Sequence, residues 1–100
     1  MDNLKIVIHA PTPEALGRAQ ANVRNLLKLE PDAEIELVVN GPAVAMAVDI
    51  TDTILLPRLM LCRNSLENQQ LTAPKGAGVV PAAVQHLAHR QQQGWGYIRA

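Results

Sequence analysis

The chain is 100 residues long, the size of one compact domain, and nothing in its length calls for a second. Apolar residues make up 48% and charged residues 18%, which places it among globular proteins and excludes an intrinsically disordered chain. Nine basic residues balance nine acidic ones and lie scattered, so there is no electrostatic footprint for nucleic acid or an anionic membrane surface.

The first element is Leu4 to His9, "LKIVIH", where Ile6, Val7 and Ile8 follow one another. A continuous β-branched run of this kind predicts a strand covered on both faces, as in a parallel sheet. Thr12 then reads as an N-cap, with Pro13 at the first helical position and Glu14 in the first turn. Leu16, Ala19, Val23, Leu26 and Leu27 recur at helical spacing, and the helix is expected to run to about Leu29. Glu34 to Asn40, "EIELVVN", predicts a second strand, and "NGP" turns it into a short helix from Pro42 to about Val48. "DITDTILLP" reads as a loop with one helical turn.

Arg58 to Cys62 is expected to be the third strand, "NSLENQQL" a short helix and "TAPKGAG" a loop. Gly78 to Val80 gives a brief fourth strand. Pro81 opens a helix whose apolar stripe is predicted to be Val84, Leu87 and Ala88, with Gly94 as its stop. Gly96 to Arg99, "GYIR", is the fifth strand. Strands separated by helix-length connections predict βαβ units with right-handed crossovers, hence a single α/β domain over residues 1–100: a three-layer α/β/α sandwich on a mainly parallel five-stranded sheet.

The one cysteine, Cys62, closes the third strand at the edge where the carboxyl ends of parallel strands gather and where open α/β sheets form their sites. It cannot make an internal disulfide. The opening "MDNLK" lacks the layout of a secretion signal, and the longest apolar runs fall short of a membrane span, so the expectation is a cytoplasmic chain. Asn64 reads as the N-cap of the following helix, with Glu67 three residues on. That helix start and the adjacent Arg63 are the settings that lower a thiol's pKa. From local physics alone the same "LMLC" reads first as plain core, because free cysteine is among the most buried residue types.

Taken together, "KIVIH", "VVNGPAVAM", "MLCRNSL" and "VVPAAVQHLAHRQQQGWGYIRA" resemble the DsrE/DsrF-like family of intracellular sulfur-oxidation and sulfur-relay proteins, in its small stand-alone branch. The resemblance implies a homotrimer or homohexamer. It also implies that Cys62 accepts a persulfide sulfur from a donor protein and hands it to an acceptor. The alternative is a non-catalytic oligomeric module that binds a partner or small ligand, with Cys62 structural.

Further candidates cluster at the same expected edge. His9 ends the first strand and could meet a thiol proton or an anionic sulfur species, or simply hydrogen-bond there. Asn40 and Gly41 sit at a turn where the backbone can approach a ligand and where Pro42 begins a helix with free N–H groups. His86 and His89 are three apart but lack an evident third ligand, so a solvated helix face is expected and no metal site. "KGAG" at Lys75 to Gly78 lacks the ending of a phosphate loop. Trp95 and Tyr97 should share one side of the last strand, as a cover for the sheet edge or as anchors of a subunit contact. No Ser/His/Asp set, carboxylate pair or dinucleotide fingerprint is present, and no cofactor is expected.

Overall fold

In a computed structural model, which describes residues 3–100, strands and helices alternate along the chain as the pattern of apolar residues requires. The strands are β1 (Lys5–Ala10), β2 (Glu34–Val39), β3 (Leu59–Cys62), β4 (Gly78–Val80) and β5 (Gly96–Arg99). The helices are α1 (Pro13–Leu29), α2 (Val44–Ala47), α3 (Arg63–Asn68) and α4 (Ala83–Gln92). Every strand pairing is parallel, and the sheet order is β4-β3-β2-β1-β5.

That order follows from right-handed crossovers. The chain steps from β1 out to β4 along one face of the sheet. α4 then carries it back across the other face and sets β5 on the far side of β1. The winding thus reverses at β1, whose carboxyl end carries His9. Alternation along each strand sends Ile8, Leu37, Val39, Leu59 and Leu61 into the larger core, with Ala15, Leu16, Ala19 and Val23 of α1. Val7, Val38 and Cys62 point the opposite way, against Ala83 and Leu87 of α4. Helices on both faces make this the expected three-layer α/β/α sandwich.

α1 begins as its sequence dictates: Thr12 is extended and its Oγ1 accepts the Ala15 N–H at 3.1 Å, with Pro13 next. Three expectations need correction. The segment after β2 is a 3-10 turn over Gly41–Ala43 followed by the four-residue α2, not one helix to Val48. Leu56–Arg58 forms a second 3-10 turn, so β3 starts at Leu59, not Arg58.

The third correction concerns α4, which buries Ala83 and Leu87 while Val84 is 76% exposed and Ala88 lies in the open. Its inward stripe is Ala83, His86, Leu87 and Arg90. Two polar residues belong there because a carboxylate waits beneath them, as described below. Among the described residues no helix is long and apolar enough to cross a membrane.

Candidate functional site

β3 passes into α3 without a loop, so Cys62 is itself the N-cap, with extended φ and ψ of −71° and 118°. This displaces Asn64, which lies inside the helix, exposed, and caps nothing. Cys62 is 6% exposed and packs against Val7, Val38, Ala83 and Leu87. Burial among them pushes the thiol's pKa up. Against that stand the Ser65 hydroxyl and the backbone N–H groups of Ser65, Ala83 and Asn64, and the balance lies below the ordinary thiol value of 9.0. The Cys62 side chain forms no cap hydrogen bond to the helix.

Ser65 earns its place through Gly41. The Gly41 N–H donates to Ser65 Oγ at 2.9 Å, which occupies a lone pair of the hydroxyl and leaves its hydrogen for the sulfur. The Gly41 carbonyl in turn accepts from Gln69 Nε2 at 2.8 Å. Gly41 is required here: its φ is +60°, and an added Cβ would lie 3.3 Å from the Pro11 carbonyl oxygen. Gly41 is therefore tied to α3 through Ser65 and to its C-cap Gln69, its carbonyl also accepting the Val44 N–H, and the glycine bears on the site through Ser65 instead of touching a ligand. Arg63 is exposed and is not among the groups that shift the thiol.

Asn40 follows Val39 as Cys62 follows Leu61, and Val39 and Leu61 are register partners, so Asn40 and Cys62 end neighbouring strands side by side. From Asn40 a hydrogen-bonded chain runs outward across β1. His9 Nε2 lies 2.8 Å from Asn40 Oδ1, and His9 Nδ1 lies 2.7 Å from the Tyr97 hydroxyl. The two rings are tilted by 49°, with centroids 5.8 Å apart. His9, Asn40 and Tyr97 form one wall of a cleft of about 350 Å³; Ala83, Val84, Leu87, Ala88 and Gln91 of α4 form the other. Cys62 stands behind Ala83, outside the lining of this cleft.

The opposite end of α4 is held by charge. Glu36 projects from β2 on the same sheet face and is 8% exposed. His86 Nε2 donates to its Oε1 at 2.7 Å, while Arg90 donates from Nε to Oε1 at 3.0 Å and from its terminal nitrogen to Oε2 at 2.8 Å. Burial raises the Glu36 pKa, but the hydrogen bonds and charges of Arg90 and His86 more than offset it and hold the carboxyl below 4.5. The Arg90 guanidinium also lies 4.4 Å from the centre of the Trp95 ring. His86 thus belongs to an ion cluster and not to a solvated face, while His89 is exposed. Among the described residues no group of three or more His, Cys, Asp or Glu is placed to hold a metal ion.

Of the residues read from sequence, the strand ends bring His9, Asn40, Gly41 and Cys62 to one edge. Arg63 and Asn64 adjoin Cys62 in the chain but face solvent. Ser65, Ala83 and Tyr97 escaped notice as site residues. The spacing of Ser65 three residues after Cys62, the N-cap to N3 interval, is a signal that could have found the first. Ala83 and Tyr97 reach the site only through the fold.

No family model matches the chain, and no curated protein matches it. Among solved structures it is similar to a protein of unknown function, MTH1491 from Methanobacterium thermoautotrophicum. The TM-score is 0.86 and the identity 25%, over 98% of this chain and 100% of that one. The likeness extends over the whole domain, so the sheet order and the strand-end edge belong to a backbone arrangement that two different sequences reach.

Proposed function

We propose that this chain is a cytoplasmic sulfur carrier of the DsrE/DsrF-like kind, working as a homo-oligomer, in which Cys62 holds sulfane sulfur as a persulfide. The observation that supports it most is the position of the sulfur at the start of α3, with the Ser65 hydroxyl and three backbone N–H groups directed at it. In the transfer, Cys62 gives its proton to water and the thiolate attacks the outer sulfur of a donor persulfide. A new bond forms to Cys62 Sγ as the donor's S–S bond breaks, and the electron pair leaves with the donor thiolate, with no net oxidation. The reverse exchange with an acceptor thiolate completes the cycle.

The 6% exposure of Cys62 restricts what can reach it. Inorganic polysulfide is expected to load the protein faster than a bulky maleimide alkylates it. Intact mass spectrometry after polysulfide treatment should show a gain of one sulfur, absent from Cys62→Ser. A thiol that gains no sulfur, and that alkylates only above about pH 8.5, would defeat the reading. The tight aliphatic packing favours a second one, in which Cys62 is core. Under it Cys62→Ser loses stability, since a hydroxyl replaces the thiol among Val7, Val38 and Leu87. The packing is the same under the carrier reading, so the two part on loading: the carrier reading requires the parent to gain one sulfur, and the core reading requires that it gain none.

A further inference from the structure

We propose that the cleft between α4, the carboxyl end of β1 and Tyr97 of β5 binds a small uncharged molecule that presents an amide N–H and C=O on a compact apolar body. The cleft opens beside β1, the strand at which the winding reverses, and its volume of about 350 Å³ suits a ligand at the small end of the usual range. No Lys, Arg, Asp or Glu lines it. A charged ligand would lose water there without meeting a countercharge, which selects a neutral one.

The polar wall fixes the ligand's edge. Asn40 Oδ1 can only accept, so in the neutral imidazole the ring proton sits on His9 Nε2, and Nδ1 accepts from the Tyr97 hydroxyl. Tyr97 thereby directs its one proton inward and keeps its oxygen lone pairs available as an acceptor. Among the described residues Asn40 Nδ2 donates to no protein group, so a donor stands at the other end of the same chain. The Tyr97 acceptor and the Asn40 donor stand on opposite sides of one imidazole, an arrangement that suits an open-chain amide, whose C=O and anti N–H point in opposite directions. Val84 and Ala88, apolar yet exposed on α4, supply the surface for the rest of the molecule. The inference goes beyond sulfur carriage and does not depend on it.

The test is a titration of isotopically labelled protein with benzamide, followed by NMR, with benzoate and toluene as probes that lack the neutral edge. Benzamide is expected to shift the backbone amides of Ala83, Val84, Leu87 and Tyr97, and to bind about tenfold more tightly than benzoate, which pays to desolvate its charge. Tyr97→Phe, a change at an exposed position, should weaken benzamide about two- to tenfold, the worth of one neutral hydrogen bond. Ala88→Trp should close the cleft and abolish the shifts. Shifts elsewhere, none at all, equal binding of benzoate, or unchanged affinity in Tyr97→Phe would each overturn the proposal. Cys62→Ser should bind benzamide as the parent does, so failure of sulfur loading leaves this result standing.

Discussion

Replacing Glu36 by Gln tests how much of this fold rests on one buried ion cluster. The substitution keeps shape and volume, so no cavity opens, but it removes the charge that three donated hydrogen bonds converge on. Breaking a buried pair from one side costs about 3–5 kcal/mol. The side chains of Arg90 and His86 are 28% and 17% exposed, so water relieves part of the stranded charge, and Gln still offers one acceptor oxygen. The expected loss is therefore about 2–3 kcal/mol, out of a total of about 5–15 for a typical domain. In a thermal melt followed by circular dichroism this lowers Tm by roughly 10–20 °C. The pH dependence carries a sign. Because the folded carboxyl lies below its ordinary 4.5, its stabilisation is complete above that value and is lost as pH falls through the folded pKa. The parent should thus lose more stability than Glu36→Gln on acidification below pH 4.5. Replacing Glu36, His86 and Arg90 together by Leu, Leu and Met should recover most of the loss, because no ion is then left buried. A Glu36→Gln melt within about 0.5 kcal/mol of the parent, the range of an ordinary surface change, would refute the account and show that water already screens the cluster.

The thiol can be probed from two sides by alkylation rate against pH: Ser65→Ala should move the Cys62 profile to higher pH, while Arg63→Ala should leave it in place, since of these two side chains Ser65's alone acts on the sulfur. Gly41→Ala should cost about 1–2 kcal/mol in denaturant titration, from the left-handed backbone alone, with the Pro11 contact adding to it. On α4, Leu87→Ala should cost about 2–3 kcal/mol and Val84→Ala within about 0.5, a contrast that reads which face is inward.

What the sequence made legible was whatever depends on period and local chemistry. "KIVIHA" and "IELVV" are apolar on consecutive residues because both sheet faces are covered, and Thr12 followed by Pro13 marks a helix start that needs no tertiary help. The failures share a cause: they lie where a partner distant in the chain decides the outcome. Asn64 is a better capping residue than cysteine by propensity, yet β3 runs into α3 so directly that Cys62 occupies the cap. Val84 and Ala88 look like core beside Leu87, but Glu36, fifty residues before His86 and fifty-four before Arg90, pulls the polar side of α4 inward and leaves them outside. Tyr97 could be assigned to an edge strand from its neighbours, whereas its bond to His9 spans 88 residues and follows only from the parallel pairing of β1 with β5.

These long-range contacts are not independent of one another, because α4 joins them. Only Ala83 and Leu87 of this helix are buried apolar residues, and two short contacts on a sheet face fix its rotation weakly. The forked hydrogen bonds from Arg90 to Glu36 are directional and hold the helix at one angle about its axis. That angle places the Ala83 N–H toward the sulfur of Cys62 at one end, and sets Val84 and Ala88 along the cleft opposite His9 and Tyr97. A carboxylate on the second strand, outside the lining of the cleft, thereby orients both the thiol's surroundings and the binding wall. Loosening the Glu36 cluster should accordingly raise the Cys62 pKa and weaken benzamide together, whereas Ser65→Ala should move the first and leave the second unchanged.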